Sequence, residues 1–90
     1  MSDTPDSPGT GGAPERAVLD ARGLLCPMPV IRTQDRVKAL ASGTVLEVLA
    51  TDPGVLHDIP AWCRVHGHEL LDTQREGREI RVRVRVTHDR

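Results

Sequence analysis

The sequence predicts a two-layer α/β sandwich of order βαβαββ, in which two helices cover one face of a mixed four-stranded sheet. Two segments have apolar residues at helical spacing, and each follows a short apolar run that is typical of a strand. The chain then continues in two strand-like runs joined by a turn, and the last run alternates between aliphatic and arginine residues. Such alternation indicates a sheet with one buried face and one face in contact with water.

Size and composition limit the chain to one small domain, since it has 90 residues, 38% of them hydrophobic, and Trp62 is its single aromatic residue. Residues 1–15 are rich in Pro, Gly, Ser and Asp, so we expect a disordered tail ahead of a domain at 16–90. Of the 13 acidic residues, three lie in residues 1–15, which contain no Lys or Arg, so the domain has 12 bases against 10 acids. A domain charge of about +2 argues against a strong nucleic-acid binder. No apolar run approaches the roughly 20 residues of a membrane span, and the N-terminus lacks signal-peptide features. We therefore expect a cytoplasmic protein.

The first half of the domain is a predicted strand–helix–strand unit. A strand at Ala17–Arg22 ends at Gly23, and a nearly continuous apolar run at Thr44–Thr51 predicts a central strand parallel to it. The helix between them runs from Pro27 to about Ala41 and ends before Ser42-Gly43. Its residues on one face are Val30, Thr33, Val37, Leu40 and Ala41, whereas Ile31 lies about 100° from Val30 around the helix.

The start of the second helix is ambiguous in the sequence. Asp52 could cap it with Pro53 at the first position, or Asp58 could cap a shorter helix with Pro60 near its start. We favour an irregular turn followed by the shorter helix. The predicted elements of this half are a turn over Val55–His57, a helix at Asp58–His66 stopped by Gly67, a strand at His68–Arg75, a tight turn at Glu76-Gly77 and a strand at Arg78–His88.

The stretch that could carry chemistry is Cys26 with its two prolines. Pro27 and Pro29 indicate the first turn of a helix, which makes Cys26 the predicted N-cap. At that end of the helix dipole a thiol pKa of about 8.5 falls toward roughly 3.5–7.5. Pro29 has no N–H, so the amide of Met28 is the main local donor and activation should be moderate. Such a thiol suits a group that takes up a sulfur atom and hands it on. Arg22 could add positive charge nearby, or it could be a solvated arginine at the strand end.

Two further constellations have weaker signals. Zinc binds cysteine and histidine side chains, and the candidate ligands are Cys26, His57, Cys63, His66 and His68. Only Cys63 and His66 share a helical face, so the signal for a zinc site is weak. We expect no metal, no other cofactor and a buried Cys63. A disulfide between Cys26 and Cys63 would need their Cα atoms to lie within roughly 7 Å of each other, a distance that the sequence does not give. A thiol redox protein that uses these two cysteines is therefore one alternative.

The last strand carries an arginine stripe, formed by Arg81, Arg83 and Arg85. These side chains could contact RNA, or they could form a solvated strand face that discourages edge pairing. The chain has no Phe or Tyr on which bases could stack. We expect no strong direct binding of nucleic acid.

Four segments of the chain are similar to the motifs of a known family. They are Leu19–Val30 with its Cys-Pro-x-Pro sequence, Thr51-Asp52-Pro53-Gly54, Asp58–Cys63 and Gly67–Leu70. On these segments, the chain from about Val18 to Val86 resembles the TusA/SirA family of sulfur-relay proteins. The resemblance implies the same βαβαββ fold and a persulfide on Cys26, received from a cysteine desulfurase and passed to a downstream acceptor. It further implies a role in tRNA 2-thiolation, molybdenum-cofactor assembly or other sulfur metabolism.

A persulfide carrier, or sulfurtransferase, also needs a surface for its partners, which Leu24, Leu25, Met28 and Ile31 would supply. Pro27 and Pro29, with Arg22 and Met28, would support the thiol. The alternative from a different class is a regulatory or interaction module that binds protein or RNA, in which Cys26 is structural.

Overall fold

The element order confirms the predicted βαβαββ sandwich. The computed structural model describes residues 16–87, so the predicted tail at 1–15 and the last three residues lie outside the described part. The elements are β1 (Arg16–Ala21), α1 (Met28–Lys38), β2 (Val45–Ala50), α2 (Val55–His66), β3 (Glu69–Glu76) and β4 (Glu79–Arg85).

The four strands form one mixed sheet in the order β1-β2-β4-β3. β1 and β2 run parallel, whereas β4 is antiparallel to both β2 and β3. This places β2 inside the sheet, as its nearly continuous apolarity predicted. Because β1 and β2 are parallel, their carboxyl ends lie at the same edge of the sheet, and the two connections that lead into α1 and α2 leave from that edge.

The core lies between the helices and one face of the sheet. Alternate residues of β2 and β4 are fully buried, in keeping with the period of two along a strand. Thr33 of α1 is also fully buried, and its hydroxyl donates to the carbonyl of Pro29 at 2.8 Å. Each buried Val, Leu or Ile contributes about 1.5–3 kcal/mol. The core side chains are those of Ala21, Val37, Leu46, Val48, Ala50, Val55, Ile59, Trp62, Cys63, Ile80, Val82, Val84 and Val86.

Helix α1 is shorter than predicted, ending at Lys38 rather than near Ala41. The amides of Ala39 and Leu40 bond to carbonyls three residues back, so the chain tightens and leaves the helix. Leu40 still packs against the core, but from this turn, and Ala41 is exposed. The predicted position of Ile31 off the apolar stripe is confirmed, since its side chain is exposed.

Helix α2 begins at Val55, so the predicted irregular turn at Val55–His57 is wrong. Gly54 is the N-cap, and Pro60 lies inside the helix despite its missing N–H. The physical reason is burial, since Val55 and Ile59 lie one turn apart on the face that packs into the core. The predicted stop is confirmed, because Gly67 ends the helix with a φ of 81°.

The β3–β4 hairpin differs from the prediction in its turn and its register. Glu76 pairs with Glu79, so the two-residue turn is Gly77-Arg78 rather than Glu76-Gly77. Leu71 is an extra residue in β3, where the register shifts. β4 ends at Arg85. One residue further on, Val86 still donates a backbone hydrogen bond to Thr44 and accepts one from Gly43. Position 88 of the predicted strand lies outside the described residues.

The second face of the sheet carries ion pairs instead of helices. Arg81 of β4 lies 2.8 Å from Glu47 of β2, which is next to it in the sheet. Arg83 pairs with Asp72 of β3, and this contact raises the pKa of Arg83 and lowers that of Asp72. Arg85 lies 3.0 Å from Glu69. Each arginine of the stripe thus has a carboxylate partner, and this face is charge-balanced.

Trp62 of α2 packs against a histidine ring and lines a cavity. Its ring stacks on that of His68, with the centroids 4.8 Å apart, and it lines a cavity of about 260 Å³. The buried indole N–H has no hydrogen-bond acceptor among the described residues.

No helix within residues 16–87 is long and apolar enough to cross a membrane.

Candidate functional site

Cys26 lies in the connection between β1 and α1, directly before the helix. The amide of Met28 donates to the carbonyl of Leu25 at 2.8 Å, which closes a turn around Cys26, and the Cys26–Pro27 peptide bond is cis. Pro27, not Cys26, is the N-cap, so the predicted capping role of the thiol is wrong. The Met28 amide is bonded to backbone rather than directed at the sulfur, which also corrects that part of the prediction. Pro29 does lie in the first helical turn, as expected.

The end of β2 fixes the position of this connection. Thr51 accepts a hydrogen bond from the amide of Gly23 at 2.9 Å through its hydroxyl oxygen. One carboxylate oxygen of Asp52 accepts from the amide of Cys26 at 2.7 Å, and the other accepts from the amide of Gly54 at 3.1 Å. A single carboxylate therefore joins the backbone of Cys26 to the start of α2.

A second carboxylate contacts the sulfur itself. Cys26 Sγ donates to Asp58 Oδ2 at 2.6 Å, from an exposed position on the surface. Asp58 lies in the first turn of α2, where the positive end of the helix dipole attracts a negative charge. A methyl group on Gly54 would lie 3.6 Å from an oxygen of Asp52 and 3.6 Å from an oxygen of Asp58, which shows that the two carboxylates converge.

These carboxylates reverse the predicted electrostatics of the thiol. The hydrogen bond to Asp58 raises the pKa of Cys26, and desolvation and the charges of Asp58 and Asp52 act in the same direction. The expectation of a lowered pKa is therefore wrong, because the thiol lies before the N-cap and faces two negative groups. Cys26 rests as a protonated, exposed thiol.

Arg22 does not supply an unopposed positive charge beside the thiol. Its guanidinium lies 2.9 Å from Asp20 and 3.1 Å from Glu79, both on the sheet. The hydrogen bonds from Arg22 hold the pKa of Asp20 at about 2, and the contacts with Asp20 and Glu79 both raise the pKa of Arg22. Arg22 is therefore the solvated arginine at the strand end that the sequence analysis gave as its second possibility. Its charge is offset by two carboxylates.

The predicted docking residues separate into two groups. Leu25, Met28 and Ile31 are 74%, 37% and 44% exposed, and all three lie within six residues of one another around Cys26 and the first turns of α1. We call these three side chains the apolar patch. Leu24 is half-buried and packs against the core, so it supports the connection rather than extending the patch.

The residues weighed as metal ligands do not converge. Cys63 is buried in the core, and burial raises its pKa to about 11. His68 accepts a hydrogen bond from the amide of Thr87 and stacks on Trp62. Within residues 16–87 the structure has no group of three or more His, Cys, Asp or Glu side chains that could hold a metal ion.

Sequence reasoning missed the roles of Thr51, Asp52 and Asp58. The sequence offers the two aspartates as alternative helix caps and as parts of segments that resemble family motifs, and it predicts no contact between them and Cys26. The parallel pairing of β1 and β2 was predicted correctly, but its consequence was not drawn: it brings the connections that follow the two strands to one edge of the sheet. A cysteine after the first strand and a carboxylate after the second are then expected to be neighbours.

The fold and the site together define a small α/β thiol protein, with one exposed cysteine between two carboxylates and beside an apolar patch. Residues 17–86 match the family model described as sulfurtransferase TusA, and the chain belongs to this family. It is 49% identical over 63 residues to the sulfur carrier protein TusA of Pseudomonas paraeruginosa, covering 70% of this chain and 80% of that one.

Other relatives are of similar identity. The TusA protein of Pseudomonas putida, also named a sulfur carrier protein, is 52% identical over 60 residues, which cover 67% of this chain and 75% of the relative. YrkF of Bacillus subtilis is 52% identical over 64 residues, or 71% of this chain. The match spans only 35% of YrkF, so this chain corresponds to about a third of that longer relative.

Proposed function

We propose that this protein carries sulfur as a persulfide on Cys26, which it receives from a cysteine desulfurase and passes to a downstream acceptor protein. The observation that supports this role most directly is the exposed Cys26 thiol, which lies inside the segment matched by the sulfurtransferase family. The sulfur-carrier names of the Pseudomonas relatives point in the same direction.

The chemistry of a relay explains why one exposed thiol is enough. Sulfur passes between proteins when a thiolate attacks the terminal sulfur of a partner's persulfide, so the carrier needs an accessible sulfur and a surface for docking. Cys26 provides the sulfur, and Cys63 is buried in the core. The protein acts in this proposal as a carrier that is reloaded by its donor, rather than as a multi-turnover enzyme on its own.

The apolar patch would provide the docking surface. Leu25 is the neighbour of Cys26 in the chain, and Met28 and Ile31 are exposed in the first turns of α1, so a partner that covers them would bring its own cysteine near Cys26. The acceptor pathway in this proposal is tRNA 2-thiolation, molybdenum-cofactor assembly or another branch of sulfur metabolism. A relay that depends on free thiols fits the reducing cytoplasm, where we propose that it works.

Intact-mass measurement after incubation with a cysteine desulfurase and cysteine tests the proposal. We expect the wild type to gain the mass of one sulfur atom, and dithiothreitol to remove it. Cys26→Ala should gain nothing, whereas Cys63→Ala, the matched control at the buried thiol, should be loaded like the wild type. Equal loading of Cys26→Ala, or no loading of the wild type, would overturn the proposed function.

A further inference from the structure

We propose that Asp58 is the proton carrier of the sulfur transfer: its carboxylate takes the proton of Cys26 and returns it to the thiolate that leaves the donor. This inference rests on the proposed function. It assigns a catalytic role to a residue on α2, 32 positions away from the thiol along the chain.

The geometry distinguishes Asp58 from the other carboxylate of the site. Both oxygens of Asp52 accept backbone hydrogen bonds, one from Cys26 and one from Gly54. Asp58 instead accepts a hydrogen bond from the thiol itself, with Oδ2 at 2.6 Å from Sγ. The carboxylate is thus in direct hydrogen-bond contact with the proton that it would take, as a general base requires. Asp52 therefore holds the backbone, and Asp58 is positioned to accept the proton.

The electrostatics of the site make such a base necessary. Asp58 and Asp52 disfavour the thiolate, so the resting protein holds Cys26 as a thiol at neutral pH. A thiol is a poor nucleophile until its proton leaves. Transfer to a carboxylate in contact, as the new sulfur–sulfur bond forms, avoids a free thiolate in this negative environment.

The step balances without an oxidant or a reductant. Asp58 takes the proton of Cys26 while Sγ attacks the terminal sulfur of the donor persulfide. A sulfur–sulfur bond forms on Cys26, and the sulfur–sulfur bond of the donor breaks. The electron pair of the broken bond leaves on the donor thiolate, which takes the proton back from Asp58. The donor ends as a thiol, Cys26 ends as a persulfide, and the carboxylate is regenerated.

Two rates measured on Asp58→Asn separate this role from a purely electrostatic one. Alkylation by iodoacetamide requires only the thiolate, so removal of the carboxylate should speed it. Glutathione persulfide is a small sulfur donor that needs no docking. The rate of sulfur uptake from it should fall by about a hundredfold relative to the rate of alkylation, because a general base accelerates a reaction by at least about that factor. If uptake rises in step with alkylation, Asp58 only sets the ionisation of the thiol and the inference is wrong.

Chemical rescue and a matched control complete the test. In Asp58→Ala, added formate should restore part of the uptake rate, because it supplies a carboxylate in the vacated space; no restoration would count against a proton-transfer role. Asp35→Asn removes the same charge from an exposed position of α1 and should change neither rate. Thermal unfolding checks that each variant is folded. Failure of the wild type to take up sulfur would overturn the proposed function itself, whereas unchanged relative rates in Asp58→Asn overturn this inference alone.

Discussion

Cys26 lies in the connection between β1 and α1 and Asp58 lies in α2, and a hydrogen bond of 2.6 Å from Sγ to Oδ2 joins them at one edge of the sheet. A thiol that donates to a carboxylate is stabilised in its protonated form. The site thus combines an exposed nucleophile with low resting reactivity. A sulfur carrier benefits from this combination, because an idle thiolate on the surface is open to oxidation.

The pH dependence of Cys26 alkylation should show this effect. The alkylation rate of Cys26 by iodoacetamide is measured at several pH values, with peptide mass mapping to identify the modified thiol. We expect the midpoint of this pH dependence to lie at higher pH in the folded protein than in the protein unfolded by urea. Because the folded pKa is the higher one, the thiol contributes stability below its unfolded pKa, and this contribution is lost as the pH rises through the folded value. In Asp58→Asn the midpoint should move down, and a folded midpoint below the unfolded one would contradict the structure.

The layout of the fold was predictable, whereas the environment of the thiol was not. The alternation of Ile80, Val82 and Val84 with arginines predicted the buried face of β4 because strand periodicity directly reflects burial. Pro60 misled the prediction of α2, since a local start signal was weighed above the burial of Val55. Local signals contain no information about which distant groups meet.

The site shows the same limit more clearly. The position of Cys26 before α1 and the exposure of the apolar patch follow from neighbouring residues, and both were expected. The direction of its pKa shift depends on Asp58. The predicted parallel pairing of β1 and β2 brings the two connections to one edge, but it does not specify which of their side chains are in contact. A prediction based on the helix dipole alone therefore gave the wrong sign.

The buried thiol of Cys63 should make stability fall at high pH. Burial raises its pKa to about 11, so between about pH 9 and pH 11 the unfolded chain is ionised while the folded chain is not. The protonated thiol of Cys63 contributes about 2–3 kcal/mol to the free energy of unfolding below pH 9. This contribution is lost as the pH rises from about 9 to about 11. Urea unfolding at several pH values checks this. Cys63→Ala should be less stable overall but should lose the part of the decline that belongs to this thiol; an identical slope would contradict the assignment.

The apolar patch should matter for protein donors and not for small ones. Replacing both Leu25 and Ile31 by Ala should slow loading by a cysteine desulfurase by about tenfold, equivalent to about 1.4 kcal/mol of docking energy. Uptake from glutathione persulfide should be unchanged, because the thiol and its carboxylates remain. Val18→Ala truncates an exposed side chain on β1 as a matched control and should leave both rates unchanged. Equal slowing with both donors would point to damage at Cys26 instead.

The arginine stripe should be dispensable for sulfur uptake. Arg81 and Arg85 form exposed ion pairs with Glu47 and Glu69, and such pairs contribute at most about 1 kcal/mol each. The double variant Arg81→Ala with Arg85→Ala should therefore load sulfur on Cys26 at the wild-type rate, with a small loss of stability in thermal unfolding. Loss of cellular function in this variant, together with normal function of Cys26→Ser, would favour an interaction module over a sulfur carrier.

Trp62 gives the protein an optical probe of its own. It is the single Trp of a chain without Tyr or Phe, so all intrinsic fluorescence comes from one buried ring stacked on His68. The ring lies one helical turn beyond Asp58 on α2. Its emission can therefore follow unfolding without a label, and a change in emission on sulfur loading would show that the environment of Trp62 responds to events at Cys26.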